Sequence, residues 1–380
     1  MIYLDHNATS PVDPRVKGAM EPLLGEVWGN PSSVHAAGRA VRRKVEEARE
    51  QVAALVGAAE AEEVVFTSGG TEADALALYS VRASGRRAIA VSSVEHAAVA
   101  EPARALEGEG FERRAMPVLP SGALDLGAAL EAVDDGVALV SAMWANNEYG
   151  ALLPIGDLAR RARERGAVFH TDAVAAVGRV DVAASSGADM ISLSAHKIGG
   201  PKGIGALWVR RGIDLPPLFG GGQERGRRGG TENAAGIVGF GEAARICRSE
   251  SPGARDDVRG LRDAFERDLR AAVPGVRVWG ESVARIGNTS AVAFPGRSGE
   301  TLAIALDLEG IAVSVGSACS SGSVGPSPAI LALGTTPEEA KSTVRFSFGA
   351  GNSPEDVATV VAALRRILGR ETALIGAPSG

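Results

Sequence analysis

The 380-residue chain reads as an α/β protein: a large domain built on a mostly parallel sheet flanked by helices, and a smaller α+β domain at the C-terminal end. Three observations lead there. Short runs rich in Val, Ile, Leu and Ala, without polar alternation, recur at Glu63–Phe66, Ala88–Val91, Val137–Met143, Ala167–His170, Met190–Leu193 and Ala206–Val209; strands buried on both faces have this composition. Helix-length segments separate them, as crossovers between parallel strands require. From about Ala254 the pattern changes, and helices flank fewer strands, at Ser290–Phe294, Ala312–Val315 and Val344–Phe348. We therefore expect one domain over residues 14–253 and a second made of residues 1–13 and 254–380.

Individual elements follow from local chemistry. Val41, Val45, Ala48, Val52 and Leu55 recur at spacings of three and four, which makes one apolar helical stripe, and Gly57 offers its stop. Ser353-Pro354-Glu355-Asp356 starts a late helix: Ser caps, Pro fits the first turn, and Asp356 sits at the capping-box offset. No apolar run is long enough to cross a bilayer, and Met1–Asp5 lacks the basic and apolar regions of a secretion signal, so a cytoplasmic protein without membrane partners is expected. A net charge of -6, with arginines scattered among acids, gives no reason to expect nucleic acid. Two cysteines are too few for a disulfide framework, their separation fits no zinc motif, and no metal is expected. Cys247 lies in an apolar helical stretch and reads as a core residue.

Several residues could carry chemistry. Lys197 follows the apolar run Met190–Leu193, in Ser194-Ala195-His196-Lys197. An amine at the end of a buried strand is desolvated, which lowers its pKa and suits a Schiff base; a surface lysine in a turn is the other reading. Asp172 ends another buried run, where ligands of parallel sheets bind. It could hold a protonated ring nitrogen or merely cap a helix. Thr67-Ser68-Gly69-Gly70-Thr71-Glu72 follows a strand and opens a helix, so its backbone N–H groups could cradle phosphate. It lacks the lysine of a P-loop, and an ordinary glycine turn would look similar. The glycine-rich run Gly220–Thr231 reads by itself as a flexible loop. Cys319 stands among Gly and Ser residues, as an accessible and reactive thiol would, or an incidental one. Arg345 interrupts an apolar strand pattern and needs an anion, either a substrate carboxylate or a structural acid. Together these make a pyridoxal-phosphate site acting on a sulfur amino acid.

At this point the chain resembles the cysteine desulfurases of the NifS and IscS type, within the class V aminotransferase-like, fold type I pyridoxal-phosphate enzymes. The resemblance runs from Tyr3-Leu4-Asp5-His6-Asn7-Ala8-Thr9 and Gly29-Asn30-Pro31-Ser32-Ser33 to Arg345-Phe346-Ser347. Met143–Glu148 and Gln223–Asn233 look closest to the NifS branch. The resemblance implies a sheet of the seven-stranded type and the following roles. Lys197 forms the Schiff base with pyridoxal 5'-phosphate and moves the substrate's α-proton. His96 stacks on the cofactor and handles the substrate thiol proton. Asp172 pairs with the ring nitrogen. Gly70, Thr71, Ser194 and His196 hold the phosphate, with Thr231 reaching in from the second subunit of a homodimer. Asn147 contacts cofactor and substrate, and Arg345 and Asn7 belong to the substrate side. Cys319 takes sulfur from L-cysteine as a persulfide, L-alanine leaves, and an acceptor such as an iron–sulfur scaffold receives the sulfur. One departure stands out. The family commonly has Gln three residues after the aspartate, contacting the cofactor's phenolic oxygen, and here that residue is Ala175. The rival readings are a class V aminotransferase or C–S lyase, including a selenocysteine lyase, without a persulfide, and a catalytically weak sulfur-carrier or scaffold protein.

Overall fold

The computed structural model of the chain describes residues 1–316 and 325–375. Its elements, in chain order, are β1 (Ile2–Tyr3), α1 (Pro14–Leu24), α2 (Ala36–Leu55), β2 (Val64–Thr67), α3 (Gly70–Tyr79), β3 (Ala88–Ser92), α4 (Ala97–Gly108), β4 (Glu112–Met116), α5 (Leu126–Glu131), β5 (Val137–Ser141), α6 (Ile155–Glu164), β6 (Val168–Asp172), β7 (Met190–Ser194) and β8 (Gly205–Val209). The chain continues through α7 (Ala234–Ala272), β9 (Arg277–Val278), β10 (Thr289–Ala293), α8 (Gly299–Leu308), β11 (Ile311–Ala312), α9 (Pro328–Leu331), α10 (Pro337–Lys341), β12 (Thr343–Ser347) and α11 (Pro354–Ile375).

Among the described residues a seven-stranded sheet runs in the order β2-β8-β7-β6-β5-β3-β4. Its pairs are parallel except those made by β8. Every residue of β2, β3, β5, β7 and β8 is buried, which is why these strands read as unbroken apolar runs. Side chains alternate between two layers. Val65, Ile89, Leu139 and Leu207 meet α3 and α4 residues such as Leu76 and Val99. Phe66, Ala90, Val140, Ile191 and Trp208 meet α2, α6 and α7 on the other face. β4 is Glu-Arg-Arg-Ala-Met, a polar edge strand paired with β3, and no apolar run announces it in the sequence.

The stripe on α2 is buried at Val41, Val45, Ala48 and Val52, and Gly57 beyond it takes a left-handed φ of 62°. α11 has the expected capping box: Asp356 N donates to Ser353 Oγ (3.3 Å) and Ser353 N to Asp356 Oδ2 (3.1 Å). A separate apolar cluster joins Leu4, Phe265, Leu269, Val292, Phe294, Leu306, Phe346 and Val360 around the antiparallel sheet β12-β10-β9. The strand expected at Ala312–Val315 shortens to β11, which pairs in parallel with β1. The expected break at residue 254 falls inside α7, a single 39-residue helix that runs from the large core to the smaller one.

Candidate active site

The residues singled out in the sequence gather where the parallel strands end, as the topology of an open α/β sheet dictates. Asp172 closes β6 and is buried, with Oδ1 accepting Val174 N at 2.8 Å. Burial and then the nearby Asp74 charge push its carboxyl up to about 7, while His96 and Lys197 act the other way. Such a carboxylate would gain from a further cation, and the protonated ring nitrogen of pyridoxal phosphate would provide one. His96 caps α4: its Nδ1 accepts Ala98 N at 3.1 Å. Lys197 ends a short 3₁₀ turn directly after β7. Its Nζ donates to the carbonyls of Asn7 and, at 2.9 Å, Ala8.

The phosphate end of the site is assembled from α3 and β7. Gly70 and Thr71 are the first residues of α3, a 10-residue helix, so their N–H groups have no partner within the helix. A Cβ on Gly70 would stand 2.8 Å from Val174 Cγ2 and 3.6 Å from Ser194 Cβ, so only glycine lets the loop close on the strand ends. Ser194 is buried. His196 Nδ1 lies 3.1 Å from Thr9 Oγ1. Burial and then the charge of Lys197 push its imidazole down to about 4, so it is neutral near pH 7. A buried serine, a helix start and a strand-end carboxylate fit pyridoxal phosphate well.

Thr231 is exposed on the loop before α7. That loop is held from two sides. Glu224 is buried and accepts both terminal nitrogens of Arg49 (2.7 and 2.9 Å) and Phe66 N (3.0 Å). Arg228 pairs with Glu72 at 2.9 Å, and Glu72 also accepts Ser68 N at 2.8 Å. Glu224 and Arg225 take left-handed φ values of 47° and 58°, a strained choice for residues with side chains.

On the substrate side, Arg345 lies in the middle of β12 and is 3% exposed. It donates to Asp5 Oδ1 at 2.8 Å and to the Asn147 carbonyl at 3.1 Å, and its Nε has no partner. The structural acid is therefore present, and the buried Nε–H is left for a further anion. Asn7 Nδ2 donates to the Asn147 carbonyl (3.0 Å) and Thr289 Oγ1 (2.8 Å), and Asn7 Oδ1 accepts Asn288 Nδ2 (2.9 Å). Its amide is thus committed within the protein, and its carbonyl is what meets Lys197. Cys319 lies outside the described residues. Both flanks of its segment reach the site. Ser314 and Arg345 exchange backbone hydrogen bonds of 3.2 and 2.8 Å. Ser327 Oγ donates to Glu148 Oε2 at 2.5 Å, beside Asn147.

Four acids here had no role in the sequence reading: Asp5, Asp74, Glu95 and Glu148. Glu95 and Glu148 stand next to His96 and Asn147, which is a usable signal, whereas the others act through distant partners. Glu95 Oε1 accepts Ser92 Oγ and Met143 N (2.7 Å), its Oε2 is buried without a partner, and burial pushes its carboxyl up to about 8.

The strand-end residues stand on a fold shared with a class of enzymes that generally work with pyridoxal phosphate. The family model for class V aminotransferases matches residues 2–360, and the chain belongs to that family, whose members generally work with this cofactor. A protein of Cereibacter sphaeroides named cysteine desulfurase is 46% identical over 378 residues, 98% of this chain and 97% of its own length. A cysteine desulfurase of Sinorhizobium fredii is 45% identical over 365 residues, covering 95% and 94% of the two chains. A solved NifS-like protein superposes with a TM-score of 0.91 at 33% identity, over 97% of this chain and 99% of that one. Among the described residues no helix is long and apolar enough to cross a membrane, and no cluster of His, Cys, Asp and Glu could hold a metal ion.

Proposed function

We propose that this protein is a cytoplasmic, homodimeric cysteine desulfurase. L-cysteine and the Cys319 thiol yield L-alanine and a Cys319 persulfide: the substrate's C–S bond breaks, an S–S bond forms, and the thiol proton passes to the alanine methyl carbon. The observation that carries this reading is the anchoring of both flanks of residues 317–324 at Arg345 and at Glu148, beside Asn147. Two described neighbours of the segment bound to substrate-side residues support a thiol acting at this site.

Pyridoxal phosphate, when bound, supplies the electron sink that weakens the substrate's bonds. Asp172 holds its ring nitrogen, and Gly70, Thr71, Ser194 and His196 hold its phosphate, with Thr231 supplied by the partner subunit. Lys197 binds it and moves the substrate's α-proton. Arg345 takes the substrate carboxylate through its free Nε, and Asn147 orients the same end. With Nδ1 accepting Ala98 N–H, the neutral ring of His96 carries its proton on Nε2 and would present an N–H donor to the substrate sulfur; taking up the thiol proton would require the ring to release Ala98 N. A sulfur acceptor, such as an iron–sulfur scaffold, then takes the persulfide sulfur.

The test is Cys319→Ser in the cofactor-loaded protein, with alanine and sulfide measured after addition of L-cysteine, and the Cys319 peptide examined by mass spectrometry. Wild type is expected to carry persulfide on Cys319 and the variant to lose turnover while still binding cysteine. Near-normal alanine release by the variant would assign the protein to the lyases instead.

A further inference from the structure

A second cavity, of about 620 Å³, has Lys197 in its lining but not Asp172, His96 or Arg345. It lies between the N-terminal segment, the turn after β6, the middle of α7 and the loop after β12, and its lining includes His6, Arg179, Cys247, Arg255 and Gly351. The acids at its edge are already committed. Asp13 and Glu250 both pair with Arg15, at 2.8 and 2.5 Å. Arg255 has Asp181 at 2.6 Å and the carbonyls of Gly178 and Val180. Arg179 stands apart. It donates to the Ala175 carbonyl at 3.1 Å and the His6 carbonyl at 3.2 Å, and among the described residues it forms no ion pair with a carboxylate. Two of its five N–H groups are thus used, both on neutral oxygens.

A half-buried guanidinium that lines a cavity and has no carboxylate partner is a ready anchor for an anion. Burial lowers the pKa of Arg179 to about 10, while the Cys247 thiol acts in favour of its charge. His6 adds no positive charge, since burial and then Arg179 push its imidazole down to about 4. The remaining lining includes Pro11, Val12, Ile246, Val258 and Phe348. The volume is that of an ordinary small-molecule site and far exceeds the needs of a halide.

We propose that this cavity binds a small carboxylate with an apolar body, its charge held by Arg179. The ligand would act on the neighbouring site, because the guanidinium also holds the His6 carbonyl, one residue from the Asn7 carbonyl that receives Lys197. Only this effect on turnover rests on the proposed function; binding itself does not.

The experiment uses cofactor-loaded protein with acetate, butyrate and hexanoate as probes against chloride at matched ionic strength. Iodoacetamide labelling of Cys247, resolved from Cys319 by peptide mapping, reports occupancy. Labelling is expected to slow about tenfold when hexanoate stands at ten times its dissociation constant, with hexanoate stronger than acetate and chloride without effect. Cys247→Asp supplies the missing acid beside Arg179, so its thermal midpoint should lie above wild type and no longer respond to hexanoate. Arg179→Met should also be unresponsive. Unchanged Cys247 labelling in hexanoate, or an equal thermal response in wild type and Cys247→Asp, overturns the site whatever the activity assay returns.

Discussion

In the cofactor-free protein, stability should fall between pH 6.5 and 8, and Glu95→Gln should remove most of that fall. Two acids and two half-buried imidazoles set the sign, and Glu148, whose carboxyl burial also raises, adds to the acids' side. Glu95 and Asp172 have carboxyls pushed up to about 8 and about 7, in both cases chiefly by burial. An acid with a raised folded pKa binds its proton more tightly in the folded state. Its stabilisation is complete below the unfolded value near 4 and is lost as pH climbs through the folded value. His6 and His196 run the other way: burial first, then neighbouring cations, push both down to about 4. Their contribution is lost as pH falls through 4 and is complete above roughly 6.5. Between about pH 4.5 and 6.5 the two acids lose what the two imidazoles gain. Above 6.5 only the acids still titrate. One proton is worth about 1.4 kcal/mol per pH unit, so Glu95 loses roughly 2 kcal/mol by pH 8 and Asp172 less than about 1. At about 2 °C per kcal/mol for a domain of this size, the midpoint should drop by about 5 °C. Gln at position 95 keeps an acceptor for Met143 N and does not titrate, so a drop of only about 1–2 °C is expected. Thermal melts of both apoproteins at the two pH values decide. An undiminished drop in Glu95→Gln refutes the assignment. If the cofactor's ring cation binds at Asp172, as proposed, adding cofactor should flatten the remainder.

Two further outcomes follow from the site. Glu224→Ala and Arg49→Met should each cost about 3–5 kcal/mol by stranding a buried charge, and the double variant should cost clearly less than their sum in a double-mutant cycle of thermal or denaturant unfolding; additivity would mean that the pair does not couple. Ala175→Gln should lower, by about one unit, the pH at which the bound cofactor changes its visible absorption, since a hydrogen bond to a charged group is worth about 1.5–3 kcal/mol; an unshifted titration would mean that another donor already reaches the phenolic oxygen.

The sequence was legible where chemistry is local. Asp172, Ser194 and Lys197 could be found because each follows a run apolar enough to be a buried strand, and β7 and β6 end within a few residues of the expected places. β4 escaped because an edge strand of Glu112–Met116 exposes charged side chains. The run Gly220–Thr231 read as a flexible loop, yet Arg49 and Glu72 tie it down through Glu224 and Arg228. Those partners lie more than 150 residues away in the chain, beyond any local pattern. Arg345 left two readings open, and its partner Asp5 is 340 residues distant; the carboxylate role now rests on the unpaired Nε–H.

The N-terminal turn explains how a single substrate could touch both halves of the site. Ala8 N donates to the Asp5 carbonyl at 3.0 Å, which closes Asp5–Ala8 into a four-residue turn. Such a turn keeps its first and last Cα within about 7 Å. Asp5 holds Arg345 at the first position, and the Asn7 and Ala8 carbonyls hold Lys197 at the last two. The turn is fixed in turn by both surroundings. Asn7 N meets Ser347 Oγ at 2.9 Å on β12, and Ser10 Oγ meets the His196 carbonyl at 2.7 Å after β7. The reach between Arg345 and Lys197, proposed above as the residues at the substrate's carboxylate and at the cofactor, is thereby tied to one tight turn. An α-amino acid, whose amine and carboxylate sit on the same carbon, suits that short separation, and a substrate with its two charges far apart does not.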